Sequence, residues 1–257
     1  MKIWKIALPI LVLFSMAGCL DIEESIDVKK DGSGQLAMNT DMSQMIEMMQ
    51  TYMGKEEMAK KGMQKMDTTI LMKDLVDTLS KLTPEKKALL RKGSIHIKLD
   101  VDAKVFMTNM VFPFSNQAEL QKLQLAVNDG SLGNAQLFKG LVPGGSDSAS
   151  GGGGGNPDIN QFNSIYDFTS KDGLMTKRLN ADKWKALKDD PQMAQIKQAA
   201  DMGMEINYTT VIHLPRPVKK IDTPLAKLSE DKKTVTIRYN LITVLDHPEQ
   251  YGYSIEY

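Results

Sequence analysis

The chain carries 18 methionines in 257 residues, and they are its most unusual chemical resource. Ten lie in one stretch: Met38, Met42, Met45, Met48, Met49, Met53, Met58, Met63, Met66 and Met72. Thioethers at Met-x-x-Met spacing can ligate Cu(I), because soft sulfur suits a soft ion. Met42, Met45, Met49 and Met53 recur every three or four residues and so share one face of a helix. That face has three readings: a core surface with methionine filling irregular gaps, an adaptable groove for a peptide or amphiphile, or a copper site. No histidine lies near the stripe to support the metal. His96, His213 and His247 are dispersed, with no His-x-x-His pair of the kind zinc sites use. Ser229 and Lys232 have Ser-x-x-Lys spacing but sit in a polar turn rather than opening a helix. Glu23 and Glu24 read as solvated acids close to the amino terminus. No catalytic, cofactor-binding or metal-binding residues emerge.

Cys19 is the only thiol, so no disulfide can form within one copy. What precedes it explains it better. Lys2 and Lys5 form a short positive region, and Ile6 to Phe14 form an apolar run. The run is too short to span a bilayer core, which needs about 20 apolar residues. Ala17-Gly18 then lead directly into Cys19. The arrangement resembles the lipobox of bacterial lipoproteins, with residues 1–18 as signal peptide. The resemblance implies diacylation of the Cys19 sulfur, cleavage before it, and acylation of the new amino terminus. Two or three acyl chains, at about 0.8 kcal/mol per buried methylene, hold a protein to a membrane durably.

Removing residues 1–18 takes out Lys2 and Lys5 and no acid, leaving 239 residues with 30 basic against 32 acidic side chains. Such a balance gives no electrostatic reason to expect nucleic acid as partner.

These residues must be positioned by an alternation of short strands and helices. Ile22, Ile26 and Val28, then Leu36, Met38 and Thr40, alternate about Lys30-Asp31-Gly32-Ser33-Gly34 as a hairpin. A helix follows from Met42 to Met53 and stops at Gly54. Leu71, Leu75 and Leu79 suggest another. Thr83-Pro84-Glu85 opens a further one, ended by Gly93. Two strands, Ile95 to Val101 and Val105 to Phe114, precede an amphipathic helix with Leu120, Leu123 and Val127. Residues 143–158 are rich in Gly and Ser and read as a flexible linker, with a reach of roughly 20 Å. No Gly-Lys-Ser/Thr ending follows to make them a phosphate loop. Beyond come strands at Phe162 to Thr169 and Leu174 to Leu179, and helices after Asn180 and Pro191. The last strands lie at Met204 to Leu214, Val235 to Tyr239 and Tyr253 to Tyr257.

The expected fold is α+β, antiparallel hairpins and sheet packed with amphipathic helices. Its expected parts are 19–142 and 159–257. A shift of 141 positions lays Lys30-Asp31-Gly32 on Lys171-Asp172-Gly173, Asn39 on Asn180 and Asp41 on Asp182, as two similar lobes would. Turns and caps reuse these residue types for physical reasons of their own, so both origins stay open.

Cys19, Asp31-Gly32-Ser33-Gly34 and the Tyr208-to-Pro217 segment before Val235 to Tyr239 are similar to features of LppM-like bacterial envelope lipoproteins. That resemblance implies an α+β domain binding something amphiphilic or proteinaceous, without catalytic residues or cofactor. The expectation is therefore a membrane-anchored, non-catalytic binding or assembly module. Its partners would be the membrane, through acyl chains on Cys19, and an envelope protein or amphiphilic ligand. Met42, Met45, Met49 and Met53 are the candidate ligand groove. The alternative is an extracytoplasmic enzyme, a hydrolase with an unrecognised site. Leu20 lacks the aspartate that retains enterobacterial lipoproteins in the inner membrane. Asp21, Glu23 and Glu24 resemble the short acidic export signal of Bacteroidetes lipoproteins. Both favour the outer membrane. Glu24 falls on the apolar face of its strand, which on this reading favours a tether over a paired strand.

Overall fold

The computed structural model describes residues 20–60, 63, 65–79, 82–128, 161–201 and 205–257. Cys19, the expected signal peptide at 1–18 and the Gly-rich stretch 143–158 lie outside them. The fold is α+β. Before the Gly-rich stretch come β1 (Leu20–Val28), β2 (Gly34–Asp41), α1 (Ser43–Lys60), β3 (Met66–Leu71), α2 (Pro84–Leu90), β4 (Ser94–Asp100), β5 (Val105–Phe114) and α3 (Gln117–Asn128). After it come α4 (Gln161–Ser164), β6 (Tyr166–Lys171), β7 (Leu174–Leu179), α5 (Ala181–Lys188), α6 (Pro191–Asp201) and β8 (Ile206–His213). The chain ends with β9 (Lys220–Ile221), β10 (Ala226–Leu228), β11 (Thr234–Asn240) and β12 (Tyr253–Glu256).

The strands form two sheets. The larger has the order β10-β11-β8-β1-β2-β5-β4-β3, the smaller β6-β7-β12-β9. The larger sheet thus takes strands from both sides of the Gly-rich stretch, joined where β1 runs parallel to β8. A parallel pair needs a long crossover, and the intervening chain supplies it. Alternation along each strand sends Ile22, Ile26, Leu36, Met38, Ile95, Ile97, Phe112, Ile212 and Val235 to one buried face. Helix α3 lies against β2 and β5 of this face and against β6 of the smaller sheet. Its Leu120, Leu123, Ala126 and Val127 are all buried there.

Helix α2 starts as expected, with the Thr83 hydroxyl accepting from the Lys86 N–H and Pro84 in the first turn. Three expectations need correction. The Leu71-Leu75-Leu79 stretch is no long helix: β3 pairs with β4 up to Leu71, and a 3-10 turn follows at Met72–Asp74. Met72, Val76 and Leu79 are buried in successive turns that anchor this sheet edge. Phe162 to Thr169 begins as a helical turn, because Phe162 and Ile165 are both buried at a helical spacing of three. Helix α1 does not stop at Gly54. It bends there (φ 74°, ψ 161°) and continues to Lys60, so that Met58 joins Ile46 and Leu99 in a satellite apolar cluster.

The two Lys-Asp-Gly turns share positive φ at Gly32 (80°) and Gly173 (78°). The likeness does not extend to the matched asparagines. Asn180 accepts from the N–H groups of Asp182 and Lys183 as a helix cap, whereas Asn39 bonds Asn109 in mid-sheet and Asp41 caps α1.

At Gly34 a Cβ would stand 1.7 Å from the Asp27 carbonyl oxygen and 2.6 Å from the Phe114 ring. Gly34→Ala should therefore destabilise the protein by about 1–3 kcal/mol in urea unfolding; an unchanged midpoint would show that the hairpin can shift there.

Candidate functional site

The alternation that builds β1 places one carboxylate among apolar side chains. Across the sheet the residues level with Glu24 are Ile237, Thr210, Met38, Met110 and Ile95. Glu24 is 4% exposed. The smaller sheet makes the matching exception. On β7, Lys177 faces inward between Phe168 of β6 and Tyr253 of β12 and is 6% exposed. An acid and a base are thus buried from opposite sheets, which is costly unless both are hydrogen-bonded.

They are joined by a chain of polar groups. The Lys177 ammonium donates to Asn163 Oδ1 at 2.8 Å, Asn163 Nδ2 donates to the Tyr208 hydroxyl at 2.6 Å, and Tyr208 donates to Glu24 Oε2 at 3.2 Å. On its other oxygen Glu24 accepts from Gln124 Nε2, and Gln124 Oε1 accepts from Asn128 Nδ2 at 2.7 Å. The Lys177 nitrogen also lies 4.6 Å from the centre of the Tyr166 ring and 5.9 Å from those of Tyr208 and Tyr239, a cation–π cage. Tyr208 and Tyr239 stack at 5.4 Å.

Helices hold the amides in place. Gln124 and Asn128 are one turn apart on α3, on the face toward Glu24. Asn163 sits on α4, held by the burial of Phe162 and Ile165 beside it. The network borders a cleft of about 440 Å³ between α3, the smaller sheet and α5. Glu24, Gln124, Asn128, Asn163 and Lys177 line it, with Tyr166, Phe168 and Tyr253 as aromatic walls and Leu125 and Leu187 as aliphatic ones. Asn128 Oδ1 is buried with no hydrogen-bond partner among the described residues.

Burial pushes the Lys177 ammonium down to about 8, the Glu24 carboxylate opposing the fall. The same burial, reinforced by Glu24, pushes the Tyr208, Tyr239 and Tyr253 hydroxyls well up. Chemically, the cleft offers a cation of reduced proton affinity, aromatic faces and amide groups. Both Glu24 oxygens are already engaged within the protein.

No family model matches the chain, and no curated protein matches it. Among solved structures, the NMR structure of the folded domain of LppM from Mycobacterium tuberculosis is similar. The identity is 12% and the TM-score 0.39, over 95% of this chain and 92% of that one. The likeness is weak.

The residues singled out in the sequence lie elsewhere. Met49 and Met53 pack on the satellite cluster of Ile46, Met58 and Leu99, Met42 is half-buried, and Met45 faces solvent at 37% exposure. The histidines stay apart: His96 bonds Asp67, His213 contacts Thr234, and His247 lies 3.5 Å from Glu249. Among the described residues no group of acids, histidines and cysteines is arranged for a metal, and no helix is long and apolar enough to cross a membrane. Glu24 is not a tether residue: β1 is paired on both sides along its length, and only Asp21 and Glu23 of that acidic group are exposed. Its place on the apolar face was visible in the alternation. Lys177 had a comparable signal, lying in series with Met175 on its strand.

The pH dependence of stability follows from these shifts. Between about 8 and 10 an unfolded chain keeps the proton on this lysine that the folded protein releases, so stability rises with pH. Above about 10 unfolded tyrosines ionise while the buried ones do not, and stability falls. Urea unfolding should show a gain on the order of 1 kcal/mol from pH 8 to 9, before the tyrosines of the unfolded chain begin to ionise, abolished in Lys177→Met. A flat wild-type profile would contradict the burial of a charged lysine.

Proposed function

We propose that this chain is a lipid-anchored envelope lipoprotein acting as a non-catalytic binding module. Its cleft, beside Lys177, takes a small ligand bearing an acidic or carbonyl group. One observation carries the reading: Glu24 and Lys177 are buried from two different sheets and linked by a hydrogen-bonded chain that opens on a cleft rather than closing on itself. An apolar core would serve the fold as well or better, so the polar groups are better explained by a ligand than by stability. The cleft combines apolar walls with a few convergent polar groups, the usual make-up of a binding site. A ligand oxygen could accept the donors Lys177 has left, and a ligand N–H could satisfy Asn128 Oδ1. Glu24, with both oxygens occupied, is poorly placed to take a proton from a substrate.

The lipid anchor rests on Cys19 and the targeting segment before it. Attachment to the outer membrane rests on Leu20 at the position after the cysteine, with Asp21 and Glu23 as the exposed acids downstream. A second reading, an enzyme, is favoured by the lowered proton affinity of Lys177, which leaves more of its amine unprotonated near neutral pH.

The tests address anchor and cleft separately. Cys19→Ser should block acylation and leave full-length precursor; normal maturation of the variant would exclude the lipobox. Native mass spectrometry of the protein purified from its own envelope should show a bound small molecule, reduced at least tenfold in Lys177→Met. Retention of that molecule by the variant would exclude the cleft as its site, and turnover of it by the wild type would favour the enzyme.

A further inference from the structure

Strand β1 begins at Leu20, whose N–H donates to the Glu205 carbonyl at 3.2 Å and which pairs with Ile206 of β8. Consecutive Cα atoms stand about 3.8 Å apart, so an anchor on Cys19 is joined to a sheet strand with no spacer. The end of the larger sheet where β1 starts must then lie at the bilayer surface. The antiparallel registers identify what else is at that end: the close of β2 at Asp41, the start of β5 at Val105 to Met107, and the close of β4 at Asp100.

Helix α1 is fixed across this same end. Ile46, Met49 and Met53 pack toward Leu99, Val101 and Phe106, Gln50 donates to the Val101 carbonyl, and Lys104 pairs with Glu47 at 3.0 Å. Its other side carries an apolar stripe at spacings of three and four: Met45, Met48 and Tyr52, exposed by 37%, 41% and 84%. Met107 of β5, 45% exposed, is at the same end. These are four of the seven large apolar side chains that stand exposed among the described residues. The bend at Gly54 keeps Met58 in the satellite cluster, so the stripe is held on a helix packed down by its opposite face.

We propose that this end of the molecule is a membrane-contact face. Met45, Met48, Tyr52 and Met107 enter the headgroup region of the bilayer that holds the acyl chains of Cys19. The inference rests on the lipid anchor proposed above. Flexible thioethers and an amphipathic phenol suit that zone. Acids and bases are mixed there, with Lys55 bound to Asp102 and Lys65 to Asp100. Contact is therefore driven by apolar insertion and does not require anionic lipid.

Because acylation consumes the only native thiol, a single added cysteine can carry a spin label. The acylated full chain with Met48→Cys, Tyr52→Cys or Leu228→Cys is reconstituted in phosphatidylcholine vesicles. Leu228 is level with Val235, Ile212 and Ile26, six residues along β1 from Leu20 and roughly 20 Å away. Labels at 48 and 52 should be at least threefold less accessible to a water-soluble nickel chelate than the label at 228, and more accessible to oxygen. Equal chelate access at all three positions in vesicle-bound protein would overturn the contact face and leave the anchor standing. Shielding from both reagents would mean a protein neighbour instead, and would also overturn it. Failure of the protein to float with vesicles would remove the anchor and this inference together.

Discussion

The rest of the structure depends on the placement of β1 in the middle of the larger sheet, antiparallel to β2 and parallel to β8. That placement brings the start of the described chain against a strand almost two hundred residues later. It fixes which face of β1 is buried, since a one-residue slip would send Ile22, Ile26 and Val28 to solvent and Asp21, Glu23 and Asp27 to the core. Because the register is so fixed, Glu24 has no way out. It is held inside by the same alternation that buries its apolar neighbours, and the protein must satisfy it there.

The surrounding residues answer that constraint one by one. Tyr208 comes from the parallel partner strand, Gln124 and Asn128 from one turn of α3, and Asn163 from α4. Lys177, from the other sheet, supplies an opposite charge at the far end of the chain of hydrogen bonds. Such an arrangement adds little net stability compared with apolar packing. It does tie the position of one sheet to the other, since a shift of either would break the hydrogen bonds between them. The cleft is a consequence: polar groups with capacity left over border open space between α3 and the smaller sheet.

Much of the architecture was legible in the sequence because local rules and tertiary packing agree. The Lys-Asp-Gly turns, the Thr83 and Asn180 caps, and the alternation in β4, β5, β7 and β11 all read directly. Where they disagree, packing prevailed. Leu71, Leu75 and Leu79 have helical spacing, yet the chain from Met66 is needed as the partner of β4. The site was half-visible. Glu24 stood out as an acid on an apolar face, but one strand cannot show whether such an acid is a surface signal or half of a buried pair. Its partner lies 153 positions away on a strand of another sheet, and no local pattern links them. The methionine stripe drew attention through composition, yet it divides between a satellite core and an exposed helix face, and neither borders the cleft.

If Glu24 and Lys177 act as one unit across the two sheets, a double-mutant cycle will show it. Urea unfolding of wild type, Glu24→Gln, Lys177→Met and the double variant gives the coupling between the positions. Members of one hydrogen-bonded network couple by about 0.5–3 kcal/mol, while independent sites add within about 0.3–0.5 kcal/mol. The double variant should be less destabilised than the sum of the single ones, by about 1 kcal/mol or more. Strict additivity would show that the two groups are buried separately, and would contradict that coupling.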